Sequence, residues 1–242
     1  MKGVILGLNP RAVLVDVTHE VPAQDIPRGA FILAQAAPYF PPGTIHLVVV
    51  DPGVGPGRRG LAAYARGHYW VGPDNGLFQW AWAGSSDLTI VSLTAAGYFR
   101  PQVVATFHGR DIFAAVAAHL SLGVDLLSFG PPITDPLPLP FPAPVRESGM
   151  IHGQIIYVDH FGNLVSNIPA SELRPWLQDR KLVVRIGSRT ISGLSSTYED
   201  TAPGEFLALI GSHGYLEIAG NQEHAARRLG LGVGASLALL PS

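Results

Sequence analysis

From Pro131 to Pro144 the chain reads Pro-Pro-Ile-Thr-Asp-Pro-Leu-Pro-Leu-Pro-Phe-Pro-Ala-Pro, with proline at every second position from 136 onward. No helix interior or central strand accepts that spacing, because each proline fixes φ and removes a backbone donor. The segment therefore predicts an extended, stiff connector between two differently patterned regions. Upstream, helix-like and strand-like signals alternate. Met1 to Leu8 has helical character and stops at Asn9-Pro10; Ala12 to Val17 is a β-branched run; Ile26 to Ala37 reads as a helix with Pro27 in its first turn. Thr44 to Val50 and His68 to Val71 read as strands, and Ile112 to Leu120 as an alanine-rich helix opened by Asp111. Such alternation predicts an α/β domain with a mostly parallel sheet. Downstream, short strands at 153–158, 182–186, 206–210 and 215–219 are separated by glycine turns, which predicts a smaller, mostly antiparallel β-barrel. The expected division is residues 1–130, a linker over 131–147, and residues 148–242.

The charge balance removes several classes of function. Sixteen Lys and Arg face eighteen Asp and Glu, for a formal net charge of −2, with no basic run. That leaves no electrostatic footprint for nucleic acid or an anionic membrane. No apolar run is long enough to cross a bilayer, and the apolar start is too short for a signal peptide, so a cytoplasmic location is expected. Cysteine is absent, which excludes disulfides, thiolate metal sites and a cysteine nucleophile. The histidines lack the helical spacing or carboxylate company of a zinc site, so no metal is expected.

Three polar clusters stand at the ends of apolar, β-rich runs: Asp51-Pro-Gly-Val-Gly-Pro-Gly-Arg58-Arg59, Phe107-His108-Gly-Arg110-Asp111 and Asp159-His160-Phe161-Gly162-Asn163. Ligands of α/β sheets bind where strands hand over to loops. The glycine-rich loop after Asp51 allows Arg58 or Arg59 to fold back and pair with that carboxylate. An imidazole such as that of His108 is the side chain best suited to handling a water proton near neutral pH. Read alone, Asp51-Pro-Gly is a turn and His108 a polar residue at a helix start. Asp74-Asn75-Gly76 reads first as a plain turn, with a ligand-holding loop as the alternative. Asp159, Phe161 and Asn163 suit a flat ligand, by stacking and by hydrogen bonding to its polar rim; the alternative is a β-turn with Phe161 packed inward.

Taken in order, Asp16-Val-Thr-His19, Asp51-Pro-Gly-Val-Gly with Arg58, Gly72-Pro-Asp-Asn-Gly76, Phe107-His-Gly-Arg-Asp111, Asp159-His-Phe-Gly-Asn163 and Gly214-Tyr-Leu-Glu-Ile-Ala with Asn221 carry a resemblance. Along essentially its whole length the chain resembles the S-adenosyl-L-methionine (SAM) hydrolases that form adenosine, or SAM hydroxide adenosyltransferases, relatives of the fluorinase and chlorinase. The resemblance implies an N-terminal α/β domain, a C-terminal β-barrel and a homotrimer with active sites between neighbouring subunits. It implies attack of water on the 5′ carbon of SAM, with SAM as substrate and no metal or cofactor. Its Asp–Arg–His triad falls on Asp51, Arg58 and His108, with Arg59 second for the arginine role and His108 sharing the water proton. Asp159, Phe161, Asn163, Ser212, Glu217 and Asn221 would hold the substrate from the C-terminal domain.

The halogenase relatives carry an aromatic residue at the position of Asp51, and a carboxylate there would repel halide. A SAM- or adenosine-binding protein without turnover, a halide-dependent adenosyltransferase and a metal-dependent hydrolase are the competing readings. The family's opening strand, whose aspartate grips the ribose, lies upstream of the helix at Met1 and has no counterpart in these residues. A weakened SAM affinity and an exposed sheet edge are expected from that difference.

Overall fold

The computed structural model describes residues 1–177 and 181–240. It divides into two compact units, Met1–Pro140 and Phe141–Ser242. Among the described residues no helix is long and apolar enough to cross a membrane.

In the first unit, α1 (Lys2–Leu8) and α2 (Ile26–Ala36) precede β1 (Ile45–Leu47), β2 (Gly60–Ala65) and β3 (His68–Pro73). Then come α3 (Gln79–Trp82), β4 (Thr89–Ser92) and α4 (Ala114–Ser121). Asp25 caps α2 by accepting from Arg28 N, and Pro27 occupies its first turn. The sheet order is β1-β3-β2-β4.

The α/β class stands, and the sheet is mixed. β1 pairs parallel with β3, while β2 pairs antiparallel with both β3 and β4. The mostly parallel sheet expected from alternation is thus confined to one pairing. The reason is local: Arg66 and Gly67, at φ of 55° and 78°, form a two-residue hairpin from β2 into β3. A tight hairpin can join only antiparallel strands.

Period-two alternation sends successive residues of β2 to opposite faces. Ala62 packs with Val71, Val91, Phe113, Val116 and Phe129 on the α4 side. Leu61, Ala63 and Ala65 pack with Trp70, Phe78 and Trp82 on the other. Gly72 admits the close approach of the chain just past β1, since a Cβ there would fall 2.3 Å from the Val48 carbonyl oxygen.

Two local expectations change. The run Ala12 to Val17 forms no strand: it has no regular secondary structure, with Val13, Val15 and Val17 exposed. Alternation supplies a tendency, and a strand also needs a neighbour to complete its ladder. The proline-rich segment is divided between the units. Residues up to 139 bond onto the first unit, Ser92 N to Pro131 O at 2.9 Å, Leu137 N to Asp74 Oδ1 at 2.8 Å and Trp80 Nε1 to Leu139 O at 2.8 Å. Val145–Glu147 forms strand β5 of the second unit.

The second unit contains β5, β6 (Met150–Val158), β7 (Leu164–Pro169), α5 (Ala170–Trp176), β8 (Val183–Ile186) and β9 (Arg189–Ser192). It continues with β10 (Phe206–Ile210), β11 (Tyr215–Gly220), α6 (Ala225–Leu229) and β12 (Ser236–Leu239). All pairings are antiparallel in the order β10-β11-β7-β6-β12-β8-β9, with β5 on β6. Just after β9, Ser195 N donates to Ala208 O of β10 at 2.8 Å, so the two ends of the sheet nearly close into a barrel. Its interior is aliphatic, with Ile151, Ile155, Leu164, Ile168, Ile186 and Leu216 fully buried.

Candidate active site

In the first unit, Asp51 follows the apolar run through Val50, whose carbonyl accepts from Asn75 Nδ2 at 2.8 Å. The loop after Asp51 turns twice, with Val54 N on Asp51 O and Arg58 N on Gly55 O. That path returns Arg58 to Asp51 as a two-pronged ion pair, Nε to Oδ1 at 3.0 Å and Nη2 to Oδ2 at 2.5 Å. Both side chains are nearly withdrawn from water, 9% and 5% exposed, so the pair is little screened. The guanidinium lies over the Phe113 ring, 5.0 Å from its centroid.

Arg58 Nη2 also lies 3.1 Å from His108 Nδ1. A guanidinium can only donate, so Nδ1 is the bare nitrogen and the ring proton sits on Nε2. Burial, with the Arg58 charge next in size, pushes the His108 pKa down against the opposing pull of Asp51 and Asp111. Arg58 Nη1 is buried with no hydrogen-bond partner among the described residues, so the guanidinium retains donor capacity.

His108 precedes a single π-turn, Gly109–Phe113, which leads into α4. Asp111, fully buried, accepts from Arg110 at two atoms, from Arg100 Nη1 at 3.0 Å and from Val104 N at 3.0 Å. The Arg110 guanidinium, ahead of the other partners, holds that carboxyl well below the usual carboxylate range. Arg110 therefore anchors the turn, with its guanidinium stacked on Phe107. Arg59 is occupied elsewhere: it pairs with Asp74 at 2.7 Å and with Asp135 at 3.0 Å, and Asp74 in particular raises its pKa. Two adjacent arginines thus take different partners, and the structure brings Asp51, Arg58 and His108 together.

The second unit holds a cavity of about 360 Å³ lined by Phe161, Asn163, Tyr198, Gln222, Glu223 and His224. Of the residues singled out from the sequence, Phe161 and Asn163 line it directly. Asp159 stands behind them, accepting from Asn163 N at 2.8 Å and from Asn163 Nδ2 at 2.9 Å. Phe161 is 74% exposed, so its ring does not pack inward.

Glu217 lies buried behind the wall and accepts from the Tyr198 hydroxyl at 2.9 Å. It also accepts from His213 Nε2 at 2.9 Å, and His213 Nδ1 takes the Tyr215 N–H at 3.2 Å. Burial first, then the bond to Glu217, pushes the Tyr198 pKa up to about 12. Asn221 is buried and donates to Thr201 O at 2.7 Å, tying down the loop that carries Tyr198. Ser212 is exposed and outside the lining.

Gln222 belongs to the Gly220–Gln222 loop that the resemblance puts on the substrate side, whereas Tyr198, Glu223 and His224 were not among the residues chosen from the sequence. One signal for Tyr198 existed: Thr197-Tyr-Glu-Asp200 has capping-box spacing, and the structure makes both bonds of that box. Among the described residues no group of three His, Asp or Glu side chains could hold a metal ion.

Comparison with known proteins matches these two units separately. Residues 1–130 match the SAM hydroxide adenosyltransferase N-terminal domain, and residues 153–238 the corresponding C-terminal domain. The chain is 41% identical to the (R)-S-adenosyl-L-methionine hydrolase of Salinispora tropica, over 97% of this chain and 89% of that protein. It is 36% identical to the (R)-S-adenosyl-L-methionine hydrolase of Thermus thermophilus, over 99% and 92%. A fluorinase of Actinoplanes shares 26% identity over 91% and 85%. Among solved structures, an uncharacterized conserved protein from Thermotoga maritima aligns with a TM-score of 0.91 at 34% identity, covering 98% of this chain and 92% of that one. Two domain models in the right order, together with this level of identity, make the chain a member of the SAM hydroxide adenosyltransferase family.

Proposed function

We propose that the protein hydrolyses S-adenosyl-L-methionine to adenosine and L-methionine. The observation that carries this reading is the bonding of Asp51, Arg58 and His108 into one buried cluster, although 57 positions separate the first from the last in sequence (108 − 51). Similarity to proteins named as SAM hydrolases supports the choice of substrate.

The sulfonium leaves as a neutral thioether and needs no acid, so help is required only by the nucleophile. Water oxygen forms a bond to C5′ as the C5′–S bond breaks and its electron pair returns to sulfur. The water proton passes to Asp51, whose oxygens keep a second lone pair each beside the Arg58 bonds. His108 has a different part from the proton sharing expected of it. Its Nδ1 already accepts from Arg58, so its Nε2–H serves as a donor that orients the water. Base assistance is worth about 10²- to 10⁴-fold, and fixed alignment about 7–11 kcal/mol; positioning is the larger contribution.

The reading includes no metal or cofactor, action in the cytoplasm and assembly as a homotrimer. The absence of cysteine agrees with an intracellular protein; the trimer rests on the family resemblance, and light scattering tests it. The decisive experiment is incubation with SAM. Adenosine and methionine should appear in equal amounts without added halide or metal. Neither product appearing sinks the proposal, intact SAM bound tightly makes the protein a binding module, and activity that requires chloride makes it a halide transferase.

A further inference from the structure

We propose that His224 is a specificity-determining residue of the second unit's cavity, donating from Nε2 to a ring nitrogen of a 6-amino purine and disfavouring 6-oxo purines. This rests on the reading that an adenosyl compound is the substrate, and it names a contact that neither the sequence patterns nor the family resemblance assigned.

Three wall residues have their hydrogen-bonding roles fixed by partners outside the cavity. His224 accepts the Arg227 N–H at Nδ1, 3.2 Å away, as the cap of α6. A backbone N–H can only donate, so the imidazole proton is on Nε2, and Nε2–H is the polar group left to the cavity that this residue lines. The ring is held against Gly162: a Cβ there would fall 2.0 Å from Nδ1, and that glycine sits at φ +88°. Asn163 is oriented by Asp159, which accepts its Nδ2–H, so Oδ1 is the remaining amide atom. No group among the described residues donates to that oxygen. Tyr198 donates its hydroxyl hydrogen bond to Glu217 and offers the cavity its ring.

Beside the Gln222 and Glu223 side chains, these three fixed residues present one acceptor and one donor, with aromatic surface from Tyr198 and Phe161. A 6-amino purine offers the complement, an exocyclic NH₂ beside a bare ring nitrogen. Presented through its N1 edge, a 6-oxo purine reverses both partners, with a carbonyl facing Asn163 Oδ1 and N1–H facing His224 Nε2–H; through N7 it would mismatch at the carbonyl alone. Two mismatched pairs in a partly desolvated cavity disfavour it strongly.

The test is calorimetric titration of the full-length protein with adenosine and with inosine, for the wild type and for His224→Asn. Asparagine keeps a side-chain oxygen to cap α6 but is too short to replace Nε2–H. The wild type should prefer adenosine by at least about tenfold. His224→Asn should lose about tenfold in adenosine affinity with its melting temperature and inosine affinity unchanged, as expected for one buried hydrogen bond. Unchanged adenosine affinity in the variant, an equal loss for both nucleosides, or no wild-type preference overturns the assignment. A wild type that releases adenosine from SAM yet shows any of these results loses the His224 contact alone and keeps the hydrolase reading. A wild type that leaves SAM intact but follows the expected nucleoside pattern does the reverse.

Discussion

The two units handle buried polar groups in opposite ways. In the first, Asp51, Arg58 and His108 direct their hydrogen bonds at one another, which leaves a charged cluster with a few unspent donor and acceptor positions. In the second, Asn163, Tyr198 and His224 bond to groups behind the wall, to Asp159, Glu217 and the start of α6. The first arrangement stabilises developing charge, because fixed charges in a dry site act with little screening. The second selects shape and hydrogen-bond pattern. On the proposed reading, chemistry and recognition fall to different units by different means.

Asp51→Asn attacks the first arrangement and should have the largest effect. Turnover should fall by roughly 10²- to 10⁴-fold, the size of lost base assistance, with little change in KM. Steady-state adenosine release reads both; an equal loss in kcat and affinity would place Asp51 in binding instead.

Acidification probes a second buried polar contact of the same unit. His46 Nε2 lies 3.2 Å from His68 Nδ1, both rings are buried, and His46 stacks on Trp70. Burial, with the neighbouring His68 second, lowers the His46 pKa from 6.5 to about 4, and burial lowers that of His68. Between those two values the unfolded chain takes up a proton that the folded chain does not. Stability is therefore complete above about pH 6.5 and declines as pH falls toward 4, by roughly 3 kcal/mol for His46. Denaturant midpoints at pH 7.5 and 4.5 measure this. His46→Gln should flatten most of the slope, and a slope unaltered by the variant refutes the assignment.

Tyr198→Phe tests the second arrangement. It keeps the ring but removes the donor to Glu217, so SAM affinity should fall by about threefold to tenfold, the worth of one hydrogen bond, with kcat nearly unchanged. A kcat loss comparable to that of Asp51→Asn would erase the contrast between the units. Asn221→Ala should do least to catalysis. It releases the Thr201 carbonyl, costs about 1 kcal/mol of stability and leaves kcat within about twofold, as thermal melts and assays together would reveal.

Much of this organisation was legible in the residues. Pro27 and Asp25 mark the start of α2, and the 206–210 and 215–219 runs fall on β10 and β11. The glycines after Asp51 announced a loop able to fold back. What escaped was pairing. The strand β2 was missed because Gly60–Ala65 is small and uniformly apolar, without alternation. Ala12 to Val17 has strand chemistry but no neighbour. Tyr198 has only the capping-box spacing of Thr197 and Asp200 to mark it, and His224 has no local signal; the cavity forms where the 198 loop and the turn after β11 meet the 161–163 turn.

Local rules of backbone geometry and side-chain type suffice to set where this chain turns, which faces are apolar, and which residues can handle a proton. Those rules act over a few residues and need no partner. The choice between Arg58 and Arg59, the bare nitrogen of His108 and the roles of Glu217 and Asn221 were decided only by tertiary structure. Each depends on which donor meets which acceptor across tens of residues, and a hydrogen bond formed at one group removes it from every other use.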